Sequence, residues 1–433
     1  MRRRGRTSIA VGVLALLVVA MVLTGCRPAK VGAKCKGTEL GRDGTHVLTC
    51  TKGRWTRAIS FVDLLNVMQE QQREQTRRPL DGIAEVATAM NTTCARLADG
   101  TVRCWGMNGD GELGTGAGVA SRANPEPVAG VSGATSLVAG RNHFCALVQD
   151  GAVTCWGDNQ FGELGDGSLS DRFTPVSVFG LYGATAIAAG SRHTCAVVSN
   201  GEVQCWGSNW SGELGYGVDA DLSAIPAQVL GLSGVTSVAA GDGSTCVVVV
   251  GGAVGCWGDN ITGQLGDGTL TDRAWADSAL VSRPASKVSS GGQVACAILV
   301  NGQAECWGSN AGYPLGTDEV DHSKVPRPLP NLTSIAQISI GPVGDVCALL
   351  TDSAVTCWGV NSSGRLGFES SFIWPRPGTV ALTGATQIAV GGDHTCARMA
   401  DSTVRCWGSN YGNQTAPKVL YGSTKPVTVT YLP

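Results

Sequence analysis

The sequence predicts an all-β protein: a seven-bladed β-propeller of repeats of about 50 residues, preceded by a small disulfide-closed N-terminal segment. Charged residues make up only 15% of the 433 residues and 61 residues are glycine, which suits short strands and tight turns better than a helical bundle. There are 17 cysteines, and 14 of them form seven pairs that recur at a nearly constant interval. A fixed period of this length is typical of a propeller in which each repeat forms one blade.

The N-terminus has the pattern of an export signal. Four arginines precede an uncharged apolar run, Ile9 to Leu23, which ends at Leu23-Thr24-Gly25-Cys26. This pattern resembles a bacterial lipoprotein signal, residues 1–25, and the resemblance implies cleavage before Cys26 and a diacylglycerol on its sulfur. A membrane-anchor helix or an ordinary signal is the alternative, although the run is short for the ~20 residues of a membrane span. Either way we expect the chain outside the cytoplasm, lipid-anchored at the outer face of the bacterial membrane, where disulfides persist.

Two short segments separate this signal from the repeats. Residues 26–58 are predicted to form a hairpin closed by Cys35–Cys50, because a segment of this size cannot build a core of its own. Residues 59–81 are predicted to be a partly helical linker, apolar at helical spacing in its first half and Gln-rich in its second. The propeller is predicted to span residues 82–433.

Each repeat contains four strand patterns separated by turns rich in Gly, Asn and Asp. In the second repeat the patterns are residues 135–140, 144–148, 152–157 and 175–178. The first repeat begins at Ile83 and is expected to lack its outermost or innermost strand. Residues 416–420 or 426–431 would then supply that strand and close the ring.

The hairpin turn between the second and third strands explains the cysteine spacing. In the second repeat, residues 149–151 suit a three-residue loop, a type I turn followed by a left-handed glycine. Pairing residue 148 with residue 152 places Cys145 opposite Cys155 with Cα atoms about 4.5 Å apart, within the disulfide range. Zinc is the rejected alternative, because it needs closer ligand spacing and usually His partners. The seven predicted pairs are Cys94–Cys104, Cys145–Cys155, Cys195–Cys205, Cys246–Cys256, Cys296–Cys306, Cys347–Cys357 and Cys396–Cys406.

The repeat follows the pattern Cys-Ala-Leu-Val-x-Asp-Gly-x-Val-x-Cys-Trp-Gly-x-Asn-x-x-Gly-x-Leu-Gly, in register over about four fifths of the chain. This pattern resembles the repeat of the regulator of chromosome condensation (RCC1) family, and the resemblance implies a seven-bladed propeller. The last repeat departs from it at the Gly-x-Leu-Gly position, where it has Gln414-Thr415. We expect the tryptophans to pack between blades and the asparagines to cap their loops. The shared residues are Trp105, Trp156, Trp206, Trp257, Trp307, Trp358 and Trp407, and Asn108, Asn159, Asn209, Asn260, Asn310, Asn361 and Asn410.

Neither a metal nor another cofactor is expected. His143, His193 and His394 stand two residues before the first cysteine of three repeats, so they lie in different blades and are expected to be structural. Loops such as Asp166-Gly167 lack the spaced ligands of an EF-hand. The sequence also contains no Gly-x-Ser-x-Gly, His-Glu-x-x-His or phosphate-loop motif.

The net charge and the expected compartment restrict the classes of partner. A net charge of −2 without a basic patch argues against nucleic-acid binding. Known members of the family are exchange factors for a small GTPase, chromatin binders and a secreted bacterial inhibitor of β-lactamase. An export signal excludes the first two roles, whereas the third fits the compartment, although no residue here identifies a β-lactamase as the partner.

The loops that interrupt the repeat carry aromatic residues and arginines, the types that form binding hot spots. We therefore predict a monomeric lipoprotein, not an enzyme, whose propeller binds an unidentified protein or envelope component through loops of one face. The alternatives are an envelope lyase or hydrolase acting at the central funnel, and a purely structural component. The aromatics could instead pack beneath their own loops. Candidate binding residues are Phe161, Phe173, Trp210, Trp275, Phe372, Trp374, Tyr411, Arg172 and Arg273.

Overall fold

The computed structural model describes residues 27–34, 40–43, 45–116, 118–217, 220–318, 321–369, 373–416 and 421–431. The chain divides into two compact units, Met1–Arg78 with Leu432–Pro433, and Pro79–Tyr431. Short β-strands account for about half of the described residues, and the remainder is almost entirely turns and loops, which confirms the all-β fold.

The smaller unit contains a four-stranded sheet where the sequence predicted one hairpin. Its strands, in spatial order, are β1 (Arg27–Pro28), β2 (Leu40–Arg42), β3 (His46–Thr51) and β4 (Arg54–Ser60). Val47, Leu48 and Trp55 are buried in this unit, so the two additional strands help to enclose a small apolar core. Cys50 is disulfide-bonded, whereas its predicted partner Cys35 and the predicted lipidation site Cys26 lie outside the described residues.

One α-helix of the described chain, α1 (Phe61–Gln75), falls within the predicted linker. Ser60 caps its N-terminus, because Ser60 Oγ accepts the Asp63 N–H at 3.0 Å and donates to Asp63 Oδ2 at 2.6 Å. No helix among the described residues has both the length and the apolar character needed to cross a membrane.

The larger unit contains seven four-stranded antiparallel sheets, which are the predicted blades. Two-residue strands, β5 (Arg78–Pro79) and β34 (Thr430–Tyr431), flank the blades in sequence. Blades one to three consist of β6 (Ile83–Thr88), β7 (Thr92–Leu97), β8 (Val102–Met107) and β9 (Ser121–Pro127); β10 (Ala134–Ala139), β11 (His143–Val148), β12 (Val153–Gly157) and β13 (Arg172–Ser177); and β14 (Ala184–Ala189), β15 (His193–Val198), β16 (Val203–Ser208) and β17 (Leu222–Gln228).

The remaining four blades repeat this arrangement. They consist of β18 (Val235–Ala240), β19 (Ser244–Val249), β20 (Val254–Gly258) and β21 (Arg273–Ser278); β22 (Ala285–Gly291), β23 (Val294–Leu299), β24 (Ala304–Ser309) and β25 (His322–Pro328); β26 (Ile335–Ile340), β27 (Val346–Leu350), β28 (Val355–Val360) and β29 (Ile373–Thr379); and β30 (Ala385–Val390), β31 (His394–Met399), β32 (Val404–Ser409) and β33 (Gly422–Thr428).

The expected borrowing of a strand by blade one is wrong. Blade one forms all four of its strands from residues 83–127, and β33 is the fourth strand of blade seven. The ring closes through contacts between complete blades: the Val86 N–H of blade one donates to Gln387 Oε1 of blade seven at 2.9 Å. Beside it, the Leu80 N–H donates to the Val429 carbonyl at 2.9 Å.

All seven predicted propeller disulfides are present. Each joins directly opposed residues of the second and third strands, as the register Cys145↔Cys155 illustrates. The Cα atoms of every pair are 4.1 Å apart. The turn in blade two differs from the predicted type, because Asp150 as well as Gly151 has a positive φ, 70° and 76°. Val148 and residue 152 still close the hairpin, with the Val148 N–H 2.9 Å from the Ala152 carbonyl oxygen.

The tryptophans lie between blades, as predicted. All seven are fully buried, and six donate an indole N–H to a carbonyl of the preceding blade, as Trp206 does to Glu163 at 2.8 Å. The asparagines cap their loops: each Oδ1 accepts the N–H of the fifth residue along the chain, as Asn159 does from Leu164. Sequence identity at these positions therefore reflects packing and loop closure.

Candidate binding face

The strand ends of the propeller form two faces. The loop face carries the loops between first and second strands and between third and fourth strands, such as residues 140–142 and 158–171. The hairpin face carries the turns between second and third strands and the connections between blades, such as residues 149–151 and 178–183. Antiparallel pairing places these two sets of loops at opposite strand ends. Each face therefore receives two loops from every blade.

An aromatic cluster lies on the loop face between blades two and three. The rings of Phe161 and Trp210 meet edge to face, with centroids 5.1 Å apart. The Arg192 guanidinium carbon lies 4.8 Å from the Phe161 centroid and 5.4 Å from the Trp210 centroid, within cation–π range. Trp210 is nevertheless 60% exposed. These three residues, the aromatic cluster, therefore present an ordered and accessible surface.

Hydrogen bonds within the loops fix the backbone that carries the cluster. The Phe161 N–H donates to Glu163 Oε2 at 2.7 Å, and the Leu164 N–H donates to Asn159 Oδ1 at 3.0 Å. Equivalent bonds form in the Trp210 loop of blade three. A loop that is already ordered loses less conformational entropy when it binds a partner.

Carboxylates lie in the loop that carries Phe161 and in the neighbouring loop of blade one. Burial, and then repulsion from Asp171, raises the pKa of Asp110. Burial also raises the pKa of Asp158, with repulsion from Asp110 and Asp171. The pKa of Glu163 rises to about 7, chiefly through burial. Clustered acidic groups favour a partner with cationic groups. Within the described part of the chain, no group of three or more His, Cys, Asp or Glu side chains could hold a metal ion.

Both predicted binding arginines, Arg172 and Arg273, form ion pairs within their own blades. Arg172 Nη2 lies 2.6 Å from Asp166 Oδ2. In blade four, Arg273 Nη2 lies 3.1 Å from Asp267 Oδ2, and Arg273 Nε lies 3.3 Å from Asp277 Oδ2. These ion pairs give both arginines a structural role, and the binding role predicted for them stays a prediction.

The other candidate residues do not join the aromatic cluster. Phe173, Trp275 and Trp374 lie on the fourth, outermost strands of blades two, four and six. Tyr411 is on the loop face of blade seven, where its exposed ring packs against a neighbouring tyrosine. Phe372 lies outside the described residues. Among the described members of the predicted set, Phe161 and Trp210 are therefore the two that converge.

Sequence reasoning missed Arg192 and Tyr421, which complete two of the aromatic contacts on the loop side of the ring. It also missed Phe368, whose ring meets that of Trp374 with centroids 5.8 Å apart. Arg192 precedes His193 in the loop between the first two strands, where no neighbouring residue marks it as exceptional. One signal was available: in a propeller, this loop lies beside the third-to-fourth-strand loops, so an arginine there can reach their aromatic residues.

The central channel has a volume of about 350 Å³ and is enclosed by the first strands of all seven blades. Its lining consists of Ala, Val, Ile, Ser and Thr residues with Gln337. Toward the loop face the lining becomes rich in glycine and includes Arg141. The lining side chains are therefore mainly small or apolar, and Arg141 is the charged one among them.

Comparison with known proteins identifies the repeat. Two models of the regulator of chromosome condensation (RCC1) repeat match, one at residues 150–197 and 200–248 and the other at residues 91–112, 134–163, 184–213 and 385–414. The ultraviolet-B receptor UVR8 of Arabidopsis thaliana is 29% identical over 335 residues, which cover 74% of this chain and 76% of that protein.

Solved structures show the same fold. Human WBSCR16 superposes with a TM-score of 0.68 at 23% identity, covering 74% of this chain and 88% of that one. Prp20p of Saccharomyces cerevisiae, whose structure was described with its binding to Gsp1p and histones, gives a TM-score of 0.64 at 20% identity. That match covers 72% of this chain and 80% of the yeast chain.

Proposed function

The chain belongs to the RCC1-like repeat family, and from this premise we propose that it is a membrane-anchored lipoprotein that binds a protein partner through its loop face. The anchor in this proposal is Cys26, and the compartment is the outer face of a bacterial membrane. Prp20p, whose structure was described with its binding to Gsp1p and histones, supports protein binding as a use of this fold.

The aromatic cluster is the observation that carries the proposal. A 60%-exposed indole, held by Phe161 and Arg192, combines a large apolar surface with little conformational freedom. Such residues dominate the binding energy of protein interfaces. Because Asp110, Asp158 and Asp171 lie in the neighbouring loops, the favoured partner presents apolar and cationic side chains together.

Affinity capture from envelope extract with the full chain tests this proposal. We expect Trp210→Ala to weaken capture of a specific protein by at least about tenfold, the scale of one interface hot spot. Trp275→Ala is the matched control, because Trp275 is also 60% exposed but lies on an outermost strand. Equal capture by the wild type and Trp210→Ala would contradict binding through the cluster.

The anchor is tested separately. Metabolic labelling with a radioactive fatty acid should label the wild-type chain and fail to label Cys26→Ala. A Cys26→Ala chain that still acquires the label would contradict the assigned lipidation site. The enzyme alternative at the central channel stays a prediction, and turnover of an envelope polymer by the purified chain would support it.

A further inference from the structure

The hairpin face carries six large apolar side chains that project into solvent, with exposed fractions of 57–81%. Phe179, Leu230 and Leu280 occupy the same position in three successive connections between blades, from blade two to blade five. The other members lie in the first of these connections and on the hairpin turns of blades four and five. Together we call them the apolar arc: Phe179, Tyr182, Leu230, Val250, Leu280 and Val300.

Backbone hydrogen bonds join the two sets of loops that carry the arc. The Val250 N–H of a hairpin turn donates to the Gly234 carbonyl of the preceding connection at 2.9 Å. The Val300 N–H donates in the same way to the Pro284 carbonyl at 3.0 Å. The turn with Val250 is thereby held beside the connection that carries Leu230, and the turn with Val300 beside the connection that carries Leu280.

Acidic residues are segregated from the arc around the same face. The hairpin turns of blades six, seven, one and two each carry an exposed aspartate: Asp352, Asp401, Asp99 and Asp150. At the equivalent places blades three, four and five carry Asn200, Gly251 and Asn301. The connections beside the aspartates replace the large apolar residues with Ala129, Pro330 and Ala381. One half of the hairpin face is therefore apolar, and the other half is acidic.

From this division we infer that the apolar arc binds the surface of a phospholipid bilayer. Its side chains stand on separate loop tips and project into solvent. A fluid bilayer accepts separate side chains individually, and phenylalanine, tyrosine and leucine are favourable at its interface. An exposed apolar surface of this extent calls for a partner, and this one lies on the face opposite the aromatic cluster.

Charge specifies the kind of bilayer. Glu202 and Arg283 are the charged residues in the turns and connections of the arc, so their charges offset one another. The four aspartates of the acidic half would approach an anionic surface and be repelled by it. The arc therefore favours zwitterionic lipid, and its binding depends little on salt.

Hydrogen exchange of the full chain with and without phosphatidylcholine vesicles tests this inference. We expect slower exchange at hydrogen-bonded amides of the arc, such as Val250 and Val300, and unchanged exchange at Ala400 and Ala98 in the acidic half. Replacing part of the phosphatidylcholine with phosphatidylglycerol should reduce the protection. This comparison within one molecule holds whether or not the N-terminus is lipidated.

Two variants of the full chain complete the test. Phe179→Ser/Leu230→Ser/Leu280→Ser should reduce the vesicle-dependent protection by at least about tenfold, because it removes three apolar side chains from the lipid interface. Leu169→Ser/Ile261→Ser/Leu270→Ser is the matched control, since these residues are 46–62% exposed on the loop face. The control should keep its protection.

Either of two outcomes would overturn the inference: exchange in the arc that vesicles leave unchanged, or protection only at the loop face. If vesicles gave the wild-type arc no protection but the arc variant lost partner capture, the arc would be a protein-docking surface. That result would also overturn the inference. The proposed protein-binding function fails separately, through intact capture by Trp210→Ala.

Discussion

Two kinds of blade junction, which together make up four of the seven, differ in the charge that they bury. In three junctions a histidine of one blade meets a threonine of the next, as His193 Nε2 meets Thr245 Oγ1 at 2.9 Å. The junction of blades six and seven instead buries Asp345 at the position of that histidine, with Arg365 nearby. The histidine–threonine junctions bury neutral side chains. The junction of blades six and seven instead depends on compensation between the buried charges of Asp345 and Arg365.

The histidine and the threonine of these junctions occupy positions that recur in every repeat. The hydroxyl of Thr245 also donates to the Glu213 carbonyl, so it links the histidine to the carbonyl that accepts the indole N–H of Trp257. Where the next blade offers Phe144, Ala295 or Val346 in place of this threonine, the preceding blade has no histidine. Each of the three buried imidazoles therefore has a hydroxyl partner in the next blade.

The charged junction is built around the Arg365 side chain. Its Nη1 lies 3.8 Å from Asp345 Oδ1, and its guanidinium also contacts the Gly392 carbonyl and the Asp393 carboxylate. Both carboxylate oxygens of Asp345 are buried without a hydrogen-bond partner among the described atoms. Burial of this kind raises the pKa of Asp345 to about 7, although Arg365 opposes the shift.

The largest expected effect comes from removing the compensating charge. Arg365→Leu should lower the free energy of unfolding by about 3–5 kcal/mol, because it leaves Asp345 and the contacts of the guanidinium uncompensated. Arg376→Leu is the control, since the Arg376 side chain is 74% exposed, and it should change stability by less than about 0.5 kcal/mol. Denaturant unfolding measures both, and equal stability of the two variants would contradict the charged-junction account.

The two kinds of junction should respond to pH in opposite directions. Burial lowers the pKa of His143 and of His394 to about 3. The unfolded chain, with ordinary histidine pKa values near 6.5, binds more protons between these values, so these junctions lose stability as the pH falls from 6.5 toward 3. Asp345 binds more protons in the folded state, so its junction loses stability as the pH rises from about 4 to 7.

Unfolding measured across this pH range in matched variants separates the two responses. Asp345→Asn should reduce the loss of stability that accompanies a rise toward neutral pH. A similar part of that loss should remain, because the pKa of Glu163 is also about 7. His143→Gln should remove part of the loss toward acid. If Asp345→Asn altered only the loss of stability that occurs as the pH falls toward 3, the assignment of the two junctions would be wrong.

The smallest expected effect distinguishes the threonines. Thr245→Val should cost about 1–3 kcal/mol, because it leaves the His193 imidazole and the Glu213 carbonyl without this partner. Thr395→Val removes a hydroxyl that donates to the Arg365 carbonyl at the charged junction, so about 1 kcal/mol is expected there. Thermal unfolding can order the two, and a larger loss for Thr395→Val would contradict the comparison.

The repeat made most of the fold predictable. Cysteine spacing and turn composition are local properties, so the strands, the hairpin register and the disulfides could be derived from one repeat. Closure of the ring could not, because it depends on contacts such as Val86 with Gln387, which are about 300 residues apart in sequence. The extra strands β1 and β2 of the small unit were missed because they are short and carry no alternating pattern.

The candidate site was only partly predictable for a related reason. Exposed aromatic residues could be recognised from sequence, but which of them meet depends on loop direction, and Phe161 with Trp210 was one combination among many. The ion pairs of the two arginines were not predicted, although Asp166 stands six residues before Arg172 and Asp267 six before Arg273. That repeated spacing is a signal for the ion pairs, and it was available from the sequence.

The disulfides of the propeller have a consequence for biosynthesis. Each joins a cysteine to the next one along the chain, at a separation of 10 residues. During N-to-C emergence, every pair can therefore be oxidised before the cysteines of the following blade appear. Strictly consecutive pairing is then the native pattern, so maturation of this ring requires an oxidant but little thiol–disulfide reshuffling.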